Sequence, residues 1–320
     1  MDIATRILII SDTHGENFDI KPEHKADVAI HCGDLTDESK LDEYRRTLQL
    51  LKEIDAPLKL VIGGNHDFTL DTSAFEQKIN EAIEPLEPDL VRKEYGDYGE
   101  ARRLFEAPGI ILLDEGTYKF KLSNGASLTV YASPYTASTG GNAYQYHPNI
   151  GHRFEIGKNT DIVITHGPPH GIMDRTCQGR KGCAQLFHAV AKARPRLHCF
   201  GHIHEEWGAK LVVWKETTSK TPSHFTDIDN TRSIIIDTLK YITESKRDTP
   251  EETAEKLGRA EQYRHQGYRR TSHCQGDQHS LKPGHHTLCV NAAVEGITDS
   301  FPRHPPWVVD IELPPADTGK

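Results

Sequence analysis

The sequence predicts an α/β fold, and three observations carry that prediction. Five apolar runs, at 7–10, 28–30, 58–62, 162–164 and 197–200, are rich in the β-branched residues that buried strands favour. Most of them run directly into a polar cluster: Asp12-Thr13-His14, Gly33-Asp34, Gly64-Asn65-His66-Asp67, Thr165-His166-Gly167 and Gly201-His202-Ile203-His204. Between the early runs lies helical sequence, so strand and helix alternate through the first half. In open α/β sheets the loops at the carboxyl ends of the strands converge on one crevice. Five clusters in this register therefore place a site there.

Taken in order, the elements follow from periodicity and turn signals. After the strand at 28–30, residues 41–54 place Leu48, Leu51 and Ile54 among charges, which fits an amphipathic helix, and a strand resumes at Leu58. From Ile110 the pattern changes. Runs at 110–113, 118–122 and 128–131 are short and separated by turn residues, with Ser123-Asn124-Gly125 as a hairpin signal between the last two. All three are expected as antiparallel strands of a second sheet. Residues 182–193 read as a helix bounded by Pro195, before the strand at 197.

From about 215 to 283 the chain becomes strongly polar. This stretch is expected as an insertion in a single domain covering 1–320. Within it, Thr249-Pro250-Glu251-Glu252 combines an N-cap hydroxyl, a proline at the first helical position and a capping-box glutamate, which predicts a helix from 250 to about 263. The stretch emerges just after His204, so it is expected to act as a lid rather than as a solvated appendage. Apolar sequence returns at 288–290 and 307–311 as closing strands, with Pro305 and Pro306 marking the turn between them, and 314–320 is expected to fray.

Composition narrows the function classes. Lys and Arg number 38 against 47 Asp and Glu, a formal charge of -9, which argues against an extended nucleic-acid surface. A small anionic substrate remains compatible, because bound cations supply positive charge locally. The start of the sequence has no basic segment followed by a long apolar core, and no run approaches the length of a membrane span. No membrane partner and a cytoplasmic location are expected. The six cysteines are scattered, and Cys32 and Cys199 fall in buried strands, so free thiols are expected rather than a disulfide framework.

The polar clusters hold the donors that a pair of divalent ions requires. Two ions about 3.5–4 Å apart call for a bridging carboxylate, neutral imidazoles, further oxygen donors and a bridging water that loses a proton at neutral pH. Asp12 and His14 lie two apart beyond a strand end and can face one ion. Asp34, preceded by Gly33, is the natural bridge. Asn65 offers a neutral oxygen, and His166, His202 and His204 complete the nitrogen donors. This mixture suits Mn, Fe, Zn or Co better than Ca, with Mg less well matched; Mn is the favoured identity.

These motifs, Asp-x-His, Gly-Asp, Gly-Asn-His-Asp, a later His and Gly-His-x-His, resemble those of the calcineurin-like metallophosphoesterases. Ile-His-Cys-Gly-Asp-Leu-Thr-Asp at 30–37, Thr-His-Gly-Pro-Pro-His-Gly-Ile at 165–172 and Pro-Arg-Leu-His-Cys-Phe-Gly-His-Ile-His-Glu at 195–205 are similar to the metallophosphoesterase-domain-containing subfamily of class III phosphodiesterases. The closing segments around Asn291 and Pro305 look like that subfamily's C-terminal strands. The resemblance implies a sandwich of two mixed sheets flanked by helices, in four layers. It also implies that Asp12, His14, Asp34 and His204 hold one ion, and Asp34, Asn65, His166 and His202 the other. His66 then faces the substrate as general acid or phosphoryl-oxygen donor, with Asp37 as its partner.

Several residues stay open between a functional and an ordinary role. His170 follows His166 through a Gly-Pro-Pro turn and is either a substrate-side imidazole or a surface histidine. Trp207 either walls the pocket for a base or aryl group or simply packs. Arg175, Arg180 and Lys181 read as a solvated face. His273, Cys274, His279, His285, His286 and Cys289 match no regular zinc spacing and read as polar loop. The expected activity is phosphodiester hydrolysis by a metal-bridging hydroxide, with His66 assisting the leaving oxygen. Small phosphodiesters such as cyclic nucleotides, and aryl diesters, are the substrates the resemblance suggests. A phosphomonoesterase or protein phosphatase is the alternative, because the motifs are shared and the surrounding loops differ. A non-catalytic metal-binding scaffold is the third reading, and it has no use for His66.

Overall fold

Alternate residues of the apolar runs face opposite ways, and this decides the architecture. In the computed structural model, which describes residues 2–16, 25–298 and 301–317, the strands of two large sheets follow one another along the chain. They are β1 (Ile3–Ile10), β2 (Val28–His31), β3 (Leu58–Val61), β4 (Ile110–Leu112), β5 (Gly116–Lys121), β6 (Ser127–Ser133), β7 (Ile162–Thr165), β8 (Leu197–Phe200), β9 (Gly208–Val213), β10 (Ile234–Thr238), β11 (Arg269–Ser272), β12 (His286–Asn291) and β13 (Trp307–Leu313). The first sheet has six strands in the order β11-β13-β1-β2-β3-β4; the second has seven in the order β10-β9-β12-β8-β7-β6-β5. Strands β1 to β4 run parallel, and β13 closes antiparallel on β1 from Ile3↔Leu313 to Ile9↔Trp307. In the second sheet β6, β7, β8 and β12 are parallel, with antiparallel β5 and β9 on either side.

Both sheets are mixed, and they pack face to face. Ile7, Ile9, Val28, Ile30 and Leu60 point inward and meet Leu128, Val130, Ile162, Ile164, Leu197 and Val290 in one core. The intervening Leu8, Ile10, Ala29 and Val61 point outward, where helix α1 (Leu41–Glu53) covers them with Leu41, Tyr44, Leu48 and Leu51. On the far side Tyr131, Val163, Phe200 and Cys289 are covered by Leu186, Phe187 and Val190 of helix α2 (Ala184–Ala193). The result is the four-layer αββα sandwich. Burying each such side chain is worth roughly 1.5–3 kcal/mol, which is why the central runs are apolar on both faces.

Some expectations need correction. Strand β4 does not join the second sheet; it adds parallel to β3 at the edge of the first, with Ile110 buried in the layer beneath α1. A four-residue run, apolar throughout, carries too little pattern to tell one sheet from the other. The polar stretch 215–283 is no detached insertion. It contributes an edge strand to each sheet, β10 and β11, and between them helix α3 (Pro250–Gln266) puts Ala260 and Tyr263 into the inter-sheet core. The overlooked signal is Ile234-Ile235-Ile236, whose first and third residues pack on the core while Ile235 is 54% exposed. Helix α3 starts as expected: the Thr249 hydroxyl accepts from Glu252 N at 3.2 Å and Glu252 accepts from Thr249 N at 2.8 Å.

The closing strands form, but β12 enters the second sheet and β13 the first. Residues 314–316 are not frayed, since Ser127 N donates to Pro314 O and Ala316 N to Gly125 O; 318–320 lie outside the described residues. All six cysteines carry free thiols. No helix among the described residues is long and apolar enough to cross a membrane.

Candidate metal centre

The carboxyl ends of β1, β2 and β3 in one sheet and of β7 and β8 in the other open onto the same edge of the sandwich. The loops there are tied to one another within each sheet. Asp12 N donates to Gly33 O at 2.9 Å, His14 N to Asp34 O at 3.2 Å, and Gly201 N to His166 O at 2.9 Å. Between sheets, His166 Nδ1 donates to Cys32 O at 2.9 Å, and the amide of His202 donates to both carboxylate oxygens of Asp12 at 3.1 Å.

The backbone pays for this convergence in conformation. Asp12, His14, Asp34 and His202 all have positive φ, at 55°, 49°, 52° and 68°. Each such non-glycine residue costs on the order of 1–3 kcal/mol, and clusters of them mark sites where geometry is imposed from outside. Close approach also requires glycine: a Cβ at Gly201 would lie 2.0 Å from Asp12 Oδ2, and one at Gly33 (φ 100°) would lie 2.7 Å from His166 Nδ1.

Two groups of side chains result. Potential donor atoms of Asp12, His14 and His204 lie within 4.8 Å of one another, and so do those of Asp34, His166 and His202. His204 Nε2 is 3.2 Å from Asp12 Oδ1. His166 Nε2 is 3.1 Å from Asp34 Oδ2 and 3.0 Å from Asn65 Oδ1. The other oxygen of Asp34 accepts the His66 amide at 2.9 Å. Beside the first group, His14, Asp37 and His66 form a third: Asp37 Oδ1 is 3.8 Å from His14 Nδ1 and 3.5 Å from His66 Nδ1. The shorter bond of His66 goes to the main-chain carbonyl of Asp37, at 2.7 Å.

The electrostatics fit a cation. Burial pushes the Asp12 carboxyl up, but the hydrogen bond from His204 and the charges of His204, His166 and His14 hold it well below the usual range. Asp34, likewise buried, is drawn down to about 2 by His166. Burial lowers His14 and His166, yet Glu295, Asp34 and Asp12 raise His14 to about 10, and Asp34 and Asp12 raise His166 to about 9. His202 is depressed by burial to about 4. His166 makes the point structurally. It faces an acceptor at each nitrogen, Cys32 O on one side and the Asp34 and Asn65 oxygens on the other, so among protein groups alone it must hold two protons. A divalent ion at Nε2 would meet the same two oxygens in place of one proton. Both ring nitrogens of His14 are buried without hydrogen-bond geometry to any described residue. The donor set therefore suits divalent metal.

Supporting residues were not anticipated. His31 is fully buried at the end of β2; Gly33 N donates to its Nδ1 at 3.3 Å, which leaves Nε2–H to donate to Thr13 Oγ1 at 2.9 Å. One neutral ring thus braces two ligand loops. The buried Asp67 carboxylate accepts from Leu35 N, Thr36 N, Thr36 Oγ1 and Gly64 N at 2.7–3.1 Å, fixing the loop after Asp34 to the loop that carries Asn65. Glu295 Oε2 lies 2.9 Å from His14 Nε2.

The remaining candidates lie apart from the two groups. His170 is partly exposed, with Nδ1 3.3 Å from Gly182 O and its ring 5.3 Å from that of His224. Trp207 does not wall a pocket. It is fully buried, stacks on Trp307 at 5.0 Å and donates to Pro305 O at 3.1 Å, because β9 begins at the next residue and turns the indole into the core. Arg180 pairs with the buried carboxylate of Asp174. Lys181 lines a narrow cavity with His202, Thr136 and Tyr135. In the second histidine cluster His273 bonds Thr271 and the His279 carbonyl, and among the described residues that cluster assembles no metal-binding group.

Comparison with known proteins places the same region in a family. The model of the calcineurin-like phosphoesterase family matches residues 5–206. A probable rhamnogalacturonate lyase C of Emericella nidulans is 32% identical over 216 residues, covering 67% of this chain and 18% of that protein. Metallophosphoesterase domain-containing protein 1 of Homo sapiens is 30% identical over 210 residues, 64% of this chain and 62% of the human protein. UPF0046 protein T07D4.2 of Caenorhabditis elegans is 31% identical over 216 residues, 63% and 52% respectively. The matched region spans less than two thirds of each relative's own length.

Proposed function

The chain belongs to the calcineurin-like phosphoesterase family, and from that premise we propose that it is a metal-dependent phosphodiesterase acting on small phosphodiesters such as cyclic nucleotides. The observation that carries the reading is the meeting of two donor groups, Asp12, His14, His204 and Asp34, His166, His202, across one seam. We assign the first group together with Asp34 to one divalent ion, and Asp34, Asn65, His166 and His202 to the other. Bound there, the ions would polarise phosphoryl oxygens and make water a nucleophile at neutral pH.

The chain's own residues supply the rest. Positive-φ backbone, loop hydrogen bonds within each sheet and the His166–Cys32 and His202–Asp12 bonds between sheets hold the donors in place before substrate arrives, so little reorganisation is needed during reaction. His66 stands at the mouth with a side chain 36% exposed. Its Nδ1 donates to the Asp37 carbonyl, so as general acid the ring must act as the imidazolium, whose second proton, on Nε2, passes to the departing oxygen and leaves a neutral ring. Asp37 orients that ring.

Charge favours a diester. A monoester brings a second negative charge, and Arg180, which follows the His166 loop, is committed to Asp174. The phosphomonoesterase reading is favoured by one observation, Lys181 lining the cavity beside His202. Protein reconstituted with Mn and assayed on cyclic nucleotides, aryl diesters and aryl monoesters separates the two. Diesters are expected to exceed monoesters by about tenfold or more in kcat/KM, ~1.4 kcal/mol of transition-state binding. Monoester rates equal or higher would transfer the assignment, and a protein that neither binds metal nor responds to it would end both.

A further inference from the structure

Glu295 lies on the short strand Glu295–Thr298 that follows β12, far in sequence from every ligand motif. Yet its carboxylate reaches the first donor group. Oε2 is 2.9 Å from His14 Nε2 and 3.4 Å from His204 Nδ1. The approach is built in: Ala293 bridges Ser11, and Val294 N donates to Ser11 O at 2.9 Å, so this segment is fastened to the loop that carries Asp12 and His14.

His204 is thereby placed between two carboxylates. Its Nε2 faces Asp12 Oδ1 at 3.2 Å, and its Nδ1 faces Glu295. The second contact is an ion-pair distance rather than a hydrogen bond, and a carboxylate so placed beside the far nitrogen of a metal-site imidazole biases the ring's orientation and raises its basicity. At His14 the carboxylate comes within 2.9 Å of Nε2 without hydrogen-bond geometry. The Glu295 side chain is 47% exposed, so replacing it disturbs little packing.

From this geometry we propose that Glu295 is a positioning residue for the first metal position, orienting His204 and restraining His14 without itself binding the ion. The inference rests on the dinuclear reading above. Its test is titration of Co²⁺ into the chelator-stripped full chain, followed by calorimetry and visible absorption, for wild type, Glu295→Gln, Glu295→Asp and His204→Ala. Wild type and Glu295→Gln should each take up two ions. In Glu295→Gln one of them should bind about 10–100-fold more weakly, with shifted visible bands and the other ion unaffected, and Glu295→Asp should recover part of the loss. Unchanged affinity and spectrum in Glu295→Gln overturn the inference. Loss of a whole ion, as in His204→Ala, also overturns it by making Glu295 a ligand. A wild-type chain that takes up no Co²⁺ overturns the dinuclear reading, and this inference with it.

Discussion

Replacing Asp237 with alanine tests whether residues 215–283 are part of the sandwich or an attachment to it. Asp237 lies on β10 and is 2% exposed. Its Oδ2 accepts from the Tyr263 hydroxyl of α3 at 2.5 Å and from Arg269 Nε of β11 at 2.6 Å, while Oδ1 accepts from Thr238 N at 2.9 Å. One carboxylate thus joins an edge strand of each sheet to the helix between them. Hydrogen bonds to a charged group contribute ~1.5–3 kcal/mol each, so the two side-chain bonds amount to ~3–6 kcal/mol. Arg269 has a side chain 28% exposed and regains some hydration when its partner is lost, so the lower part of the range applies, about 3–4 kcal/mol. Against typical stabilities of ~5–15 kcal/mol that is a large fraction. Urea unfolding of chelator-stripped protein, followed by circular dichroism, should show the loss as a lower midpoint at constant m. Asp237→Asn, which keeps one carbonyl oxygen, should lose less. A cost for Asp237→Ala below ~1 kcal/mol, the ordinary range for point changes, would refute the reasoning and restore the view of this stretch as a detachable lid.

Other perturbations act nearer the centre. Gly201→Ala would set a Cβ 2.0 Å from Asp12 Oδ2 and 2.2 Å from Ser11 Oγ; elemental analysis should find bound metal falling from about two ions toward one, whereas full retention would show that the loop yields. His66→Ala should keep its metal and lose ~10²–10⁴ in rate, with smaller losses for nitrophenolate leaving groups; equal losses throughout would make the residue a charge stabiliser. Burial holds His198 down at about 3, against 6.5 for an ordinary histidine. The unfolded chain takes up that proton as pH falls through 6.5 while the folded state resists it, so the stability this residue contributes is complete above pH 6.5 and declines toward pH 3, by up to ~1.4 kcal/mol per pH unit. His198→Gln, which keeps a donor for Thr165 Oγ1, should flatten the slope of stability against pH by about one proton; identical slopes would remove His198 as the sensor.

The candidate ligands were legible because each follows a run that only a buried strand explains, and a polar residue at such a strand's end has few other uses. Partners brought together in space were harder. Nothing local marks Glu295, whose significance comes from Ala293, just past the end of β12, bridging Ser11. His31 was in plain view: a histidine in an all-buried strand must find partners, and both are supplied by neighbouring motifs. Trp207 misled through its nearness to His204, because sequence adjacency does not say which way a chain turns at the start of β9. The edge strand β10 escaped notice because an edge needs only alternate apolar residues, and polar neighbours dilute that pattern; β11, Arg269-Arg270-Thr271-Ser272, has no apolar residue and leaves no hydrophobic pattern to read.

The seam between the sheets has a mechanical consequence. Asp12, His14, Asp34 and Asn65 ride on one layer, and His166, His202 and His204 on the other. Each donor group in the centre combines side chains from both. Such a centre exists at only one sliding position of layer against layer, and that position is set by Ile7, Ile9, Ile162 and Ile164 in the shared core. Interiors packed this tightly transmit small displacements rather than absorb them. A methylene lost deep in the sandwich would then register at the rim as slackened grip on an ion before it registered as melting, so the centre serves as a gauge of how the two halves are seated.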